Sequence, residues 1–276
     1  MSFRSSNPVG FVDKAKVLAF EARKSVLQMT SDANASHVGS CLSVVDILSS
    51  LYSGVISLDS SRINDPARPR VILSKGHAAA ALYAVLAHAG FMELTELERY
   101  GHNGAKLGGH VTHKGNPGVE LSTGSLGHGL PYGVGVALGL KQLGLDLTPV
   151  YVIISDGECD EGSTWESALI ASHFKLNNLI VLIDRNRLQS LAGTEETIAL
   201  EPLPSKWESF NWDVTSIDGH SHVEIIDSLA IGQRPKCIIA NTTKGKGVSF
   251  MENSVKWHYK SPNNEELAAA LSELNQ

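Results

Sequence analysis

An acid followed at once by glycine, Asp156-Gly157, closes one apolar run at residues 150–154, and Asn186 stands just past a second at residues 179–183. A carboxylate and an amide oxygen brought together suit a hard cation such as Mg2+, which keeps few protein ligands and completes its shell with phosphate oxygens and water. Gly157 would let the chain turn sharply and expose N–H groups to an anion. Asp-Gly alone also describes an ordinary strand-to-helix turn, so both runs have to be taken together. Histidine is the other unusual resource: there are 11. Imidazoles titrating near neutrality are suited to holding hydroxyls and moving protons, although a given histidine is more often structural or exposed.

The elements that must position these groups follow from periodicity. Residues 150–154 and 179–183 read as buried strands, with a helix over residues 163–175 between them, for which Ser163 is the expected N-cap with Glu166 three residues on. Strand, helix and strand at this spacing make a βαβ unit with parallel strands. Ligands bind at the carboxyl ends of such strands, so Asp156 and Asn186 are expected at one edge. Further strands are expected at residues 70–73, 212–217 and 236–240, and helices at 11–29, from 44 on, 78–89, 131–143, 223–230 and after 264. Between residues 101 and 129 regularity gives way to crowded glycines and histidines, including His102, His110 and His113. A loop that long with apolar flanks predicts function. The expected fold class is α/β: an open, mostly parallel sheet with helices on both faces.

Bulk properties narrow the function. The net charge of −6 lacks the basic face that nucleic-acid binding requires. The cysteines Cys41, Cys159 and Cys237 are widely spaced and form neither a metal pair nor a disulfide framework. No signal-peptide core is read at residues 1–8, and no stretch is read as approaching the roughly 18 apolar residues of a membrane span. The expectation is a soluble, cytoplasmic protein with neither nucleic acid nor membrane as partner.

Ser155-Asp156-Gly157-Glu158, Glu161-Gly162 and Asp184-Arg185-Asn186 together resemble the thiamine diphosphate-binding motif, with Ser155 in place of its first glycine. Ala35-Ser36-His37-Val38-Gly39, Ser74-Lys75-Gly76-His77, Gly109-His110, residues 118–127, Lys244-Gly245-Lys246-Gly247 and Trp257-His258 resemble transketolase signatures in transketolase order. The chain is thus similar, over nearly its whole length, to the N-terminal section of a transketolase. The resemblance implies a single diphosphate-binding domain over residues 1–276, with thiamine diphosphate and Mg2+ (Ca2+ or Mn2+ substituting) as cofactors.

It further implies that Asp156, Asn186 and the Leu188 carbonyl coordinate the metal, and that Gly157 meets the diphosphate. Gly124 and Leu126 would meet the aminopyrimidine, and Lys244 would answer diphosphate or substrate charge, with a solvated lysine as the alternative. Glu161 would reach across a dimer, or simply favour a helix N-terminus. His37, His77, His110 and His258 would line the channel beside the reactive carbon. Tyr259 replaces a glycine frequent in the family, and His128 stands where glutamine is common, which makes it structural or supporting. The implied reaction passes a two-carbon ketol unit from a ketose phosphate to an aldose.

About 35 residues follow Asn241, too few for the pyrimidine-binding and C-terminal domains of a whole transketolase. Two explanations stand, a truncated piece of the longer enzyme or a natural subunit of a split one; the second is favoured, completed by a complementary C-terminal subunit into an α2β2 heterotetramer acting on sugar phosphates. A subunit of a 2-oxoacid dehydrogenase or decarboxylase would share the metal motif but leaves the histidines unexplained. A 1-deoxyxylulose phosphate synthase would be one long chain. A non-catalytic partner on the same fold would have no use for Asp156 and Asn186.

Overall fold

The computed structural model describes residues 8–275, so the signal-peptide reading at residues 1–7 lies outside it, as does residue 276. Five strands form one sheet: β1 (Arg70–Leu73), β2 (Val150–Ser155), β3 (Leu179–Arg185), β4 (Asp213–Asp218) and β5 (Lys236–Asn241). They run in the order β1-β2-β3-β5-β4, and every pairing is parallel. The helices are α1 (Pro8–Asp32), α2 (Val38–Ser50), α3 (Ala79–His88), α4 (Gly129–Gln142), α5 (Gly162–His173), α6 (Thr194–Thr197), α7 (Leu203–Ser209), α8 (His222–Ser228) and α9 (Asn264–Leu274).

Side chains alternate across a strand, so each strand feeds two cores. Val71, Leu73, Tyr151, Ile153, Ile180 and Leu182 pack beneath α1, α2, α3, α8 and α9. Ile72, Val150, Val152, Ile154, Val181 and Ile183 pack beneath α4, α5 and α7. Burial on both faces explains why the parallel strands read as unbroken apolar runs.

Two expectations need correction. The stretch Val38–Val55 is long and apolar enough, by length and composition, to cross a membrane, but 89% of it is buried inside the protein. It is a core element: every residue of α2 is buried, wrapped by α1, α3 and α8. Ser163 is not the N-cap of α5 either. Glu161 occupies that position without a side-chain cap bond, and the Ser163 hydroxyl instead donates to the Gly127 carbonyl at 2.7 Å. The tertiary contact outweighs the local cap.

Candidate functional site

With all strands parallel, their carboxyl ends share one edge, and the segments leaving them converge there. The register sets Ser155 beside Asp184, so Asp156 and Asn186 emerge side by side. The convergence encloses a cavity of about 220 Å3. His37, His77, His110, His258, Gly124, Leu126, Asp156, Gly157, Asn186, Leu188 and Lys244 all line it. Glu161 does not; it is exposed at the start of α5, against Gly127. A larger groove of about 450 Å3 runs along α1 beside Asp13, Val17 and His88 and holds none of the expected residues.

Asp156 is 2% exposed. Its carboxylate accepts the N–H of Gly157 at 2.8 Å, the N–H of Arg187 at 2.6 Å and an Arg185 guanidinium N–H at 3.2 Å. Burial, reinforced by Asp184, nevertheless pushes the Asp156 carboxyl up, so a cation there would restore what burial takes away. Arg187 adopts the left-handed region, φ 66°, and so turns the chain between two oxygen donors, the Asn186 side chain and the Leu188 carbonyl. The Asn186 amide donates to Ser43 Oγ at 3.3 Å and accepts the Leu188 N–H at 3.1 Å, which fixes its orientation. At Gly124 a Cβ would lie 3.1 Å from the His110 ring, so only bare backbone lets the two approach this closely.

Lys244 is 1% exposed, which excludes the solvated alternative. Its ammonium donates to the carbonyls of Leu188 and Gln189, both at 3.3 Å, and to His258 Nδ1 at 2.9 Å. Burial and then Lys75 draw its pKa down to about 8. Below it lies an ion pair that sequence reasoning did not single out, between Lys75 and Asp184, both fully buried. Ser43 donates to the same carboxylate at 2.6 Å and Thr242 donates to its other oxygen. Burial opposes ionisation of Asp184, but Lys75 and these hydroxyls overcome it and hold the carboxyl down. Glu158, likewise missed, is buried and accepts the Ser74 hydroxyl and the Gly127 N–H, tying three loops together. The available signal was a second acid two residues past Asp156, flanked by loop glycines.

The four expected histidines are brought together. Ring centroids lie 5.3 Å apart for His37 and His77, 5.5 Å for His37 and His110, 4.9 Å for His37 and His258, and 5.8 Å for His77 and His258. His37 sits at φ 76°, a left-handed conformation that costs a non-glycine residue about 1 kcal/mol. Its N–H donates to the His258 carbonyl at 2.7 Å, which holds it there. The expected titration near neutrality is not what this environment gives. Burial first, then neighbouring positive charge, lowers His37 to about 4 and His258 to about 3, and holds His77 well below its ordinary value. These rings are neutral at pH 7. Because the Lys244 ammonium can only donate to His258 Nδ1, the proton of that ring sits on Nε2.

The remaining histidines are elsewhere. His128 is exposed at the start of α4, bonded to the Leu126 carbonyl at 2.9 Å, and His113 bonds Ser122. His220 and His222 gather around the buried carboxylate of Asp46. Asp46 had a visible signal, a lone acid in the apolar run Val44-Val45-Asp46-Ile47-Leu48.

Residues 14–275 match the family described as "Transketolase, thiamine diphosphate binding domain". The chain is 42% identical over 264 residues to an apulose-4-phosphate transketolase subunit of Actinobacillus succinogenes, covering 95% of this chain and 94% of that one. It is 38% identical over 258 residues to the 6-deoxy-6-sulfo-D-fructose transketolase subunit SqwG of Clostridium sp. strain MSTE9, covering 92% and 94% of the two chains. Its fold superposes on transketolase from Campylobacter jejuni with a TM-score of 0.86 at 29% identity, covering 98% of this chain but 43% of that one.

Proposed function

The chain belongs to the transketolase family through its thiamine diphosphate-binding domain, and from that premise we propose that it is one subunit of a two-chain transketolase. It would pass a two-carbon ketol unit from a ketose phosphate to an aldose phosphate. One observation carries this reading: a cluster of four histidines opens into the same cavity as the oxygens of Asp156, Asn186 and Leu188. A 2-oxoacid dehydrogenase or decarboxylase subunit needs the oxygens but leaves the histidine cluster without a task.

The residues fit the cofactor. A buried carboxylate that burial disfavours in its charged form, an amide oxygen and a backbone carbonyl, all lining one cavity, form the oxygen-only donor set that Mg2+ prefers. Asp156, Asn186 and Leu188 would hold Mg2+ against the diphosphate, with Gly157 beside it and Gly124 and Leu126 against the aminopyrimidine. When bound, thiamine diphosphate supplies the carbon nucleophile that carries the two-carbon unit. The Lys244 ammonium would answer the negative charge of the diphosphate. His258 presents an Nε2–H donor toward the cavity. His37, His77 and His110 would orient sugar hydroxyls, and the neutral rings of His37 and His77 can accept a proton without first losing one.

The site is open on one side, and an exposed apolar surface supports a partner chain. Leu169 and Ile170 of α5, with Phe174 just beyond it, and Tyr132 of α4, with Leu143 just beyond it, are 42–74% exposed. A complementary pyrimidine-binding subunit in an α2β2 assembly would cover them, with the exposed Glu161 at the junction. The relatives' names support screening apulose 4-phosphate and 6-deoxy-6-sulfo-D-fructose beside pentose phosphates as donors. Three buried, free cysteines suit a reducing cytoplasm.

The test is two-carbon transfer from xylulose 5-phosphate to ribose 5-phosphate with Mg2+ and thiamine diphosphate. It is run with this chain alone and mixed with a pyrimidine-domain chain from the same genome. Activity in the mixture alone is the expected result. A silent mixture that still binds cofactor would move the search to branched or sulfonated donors, and a mixture that binds no cofactor would overturn the reading.

A further inference from the structure

The loop that carries Lys244 is held from behind. Thr242 donates to Asp184, the Gly245 N–H donates to the Gly39 carbonyl at 2.9 Å, and Arg23 Nε donates to the Lys246 carbonyl at 3.3 Å. Between these anchors, the Thr243 N–H donates to His220 Nε2 at 2.8 Å. A backbone N–H can only donate, so His220 Nε2 accepts and the ring proton sits on Nδ1. That nitrogen lies 2.7 Å from Asp46 Oδ2, and Asp46 is gripped on both oxygens by Arg23. The ring is thus fixed in tautomer and orientation, with its remaining lone pair aimed at the residue before Lys244. Gly219 makes the approach possible, because a Cβ there would lie 2.4 Å from Thr242 Cγ2.

We propose that His220 is a positioning residue: held by Asp46 and Arg23, it pins the Thr243 N–H and so keeps the Lys244 ammonium aimed into the cofactor cavity. The inference rests on the reading that Lys244 meets the diphosphate. His222 supplies the internal contrast. It lies 3.4 Å from the same Asp46 carboxylate and bonds Ser50 at 2.9 Å, but among the described residues no hydrogen bond joins it to the Lys244 loop.

Two substitutions separate the two ends of the His220 ring. In His220→Asn the amide reaches only as far as Nδ1, so the bond to Asp46 can form and the bond to Thr243 cannot. In His220→Gln the amide oxygen extends to the Nε2 position and can accept from Thr243. His222→Asn perturbs the same buried carboxylate without touching the loop. Each is combined with the complementary chain, and thiamine diphosphate binding with Mg2+ is titrated by calorimetry. Amide hydrogen exchange across residues 242–246 is measured in parallel.

Loss of an outer-shell partner typically costs 10–100-fold in affinity. The expected result is about a 10-fold or greater weakening of cofactor binding in His220→Asn, with turnover recovering at saturating cofactor, and substantial rescue in His220→Gln. Affinity in His222→Asn stays within about 3-fold of the parent, well short of that range. Exchange at residues 242–246 accelerates in His220→Asn alone. Unchanged affinity in His220→Asn, or equal weakening in His222→Asn, overturns the proposal. Should the unsubstituted assembly bind no thiamine diphosphate, the cofactor reading falls, while the exchange measurement still decides whether His220 holds the loop.

Discussion

Two groups of histidines in this chain differ in what their ring nitrogens touch. Around Asp46, His220 and His222 each engage both nitrogens with protein partners. In the cavity, no protein hydrogen bond reaches the ring nitrogens of His37, His77 or His110 among the described residues, and His258 commits one of its two. Buried polar groups normally find partners. The nitrogens left open line a cavity, whereas the satisfied ones belong to the framework. The same residue type is fully hydrogen-bonded on one side of the Lys244 loop and leaves ring nitrogens open to the cavity on the other.

That contrast can be attacked directly. The largest effect is expected on the framework side: Asp46→Ala strands Arg23 in a buried setting, and breaking such a pair typically costs 3–5 kcal/mol. Urea unfolding measures it, and a loss below about 1 kcal/mol would show that the framework group is no framework. Next comes His77→Ala in the assembled enzyme. A positioned acid–base group contributes roughly 100-fold or more, so kcat/KM should fall by about that factor while the urea midpoint barely moves. A stability loss comparable to that of Asp46→Ala would erase the distinction. Asp156→Asn removes the charge proposed to hold Mg2+ and should weaken Mg2+-dependent thiamine diphosphate binding by at least about 10-fold, read by calorimetry.

The smallest effect concerns pH. His37 is lowered from its ordinary 6.5 to about 4, so the folded chain leaves it neutral where the unfolded chain protonates it. Its contribution is full above pH 6.5 and is lost as pH falls toward 4. Between pH 7.5 and 5.5 the loss should be roughly 1 kcal/mol or less, given its partial exposure. His37→Gln should flatten that slope in urea midpoints taken at the two pH values, and an unchanged slope would show the ring to be solvated.

Much of this architecture can be read in the residues, for identifiable reasons. β1, β2, β3 and β5 are largely buried and leave apolar runs, the edge strand β4 is mostly solvent-facing and polar, and each strand lies within two residues of its expected place. The short helices α6 and α7, four and seven residues long, have too few turns to leave a periodic signature. Ser163 had the right chemistry for a cap, but its partner, Gly127, lies 36 residues away and belongs to another loop. In the site, the gathering of His37, His77, His110 and His258 was legible through motifs, yet the neutrality of His37, His77 and His258 was not. It arises first from burial and then from neighbouring positive charge, of which only Lys75 beside His77 is close in the sequence. Lys75 and Asp184 are 109 residues apart, and no local pattern marks either as the other's partner. Glu161, expected to reach across a dimer or to favour a helix N-terminus, is exposed as the N-cap of α5, outside the cavity lining.

The parallel sheet also sets a timetable for the nascent chain. Each pairing joins segments separated by a crossover, the kind of non-local contact that forms slowly. At roughly 5–20 residues per second, synthesis needs about 5–20 s to travel from Asp156 to His258. Through that interval Asp156 exists without Lys244, and the mouth of the cavity lacks its last imidazole. The pocket therefore cannot precede the completed sheet, and a chain interrupted before β5 would carry the acidic motif without a place to put a diphosphate. On this geometry the acidic motif and Lys244 share a cavity only once the last parallel strand has docked.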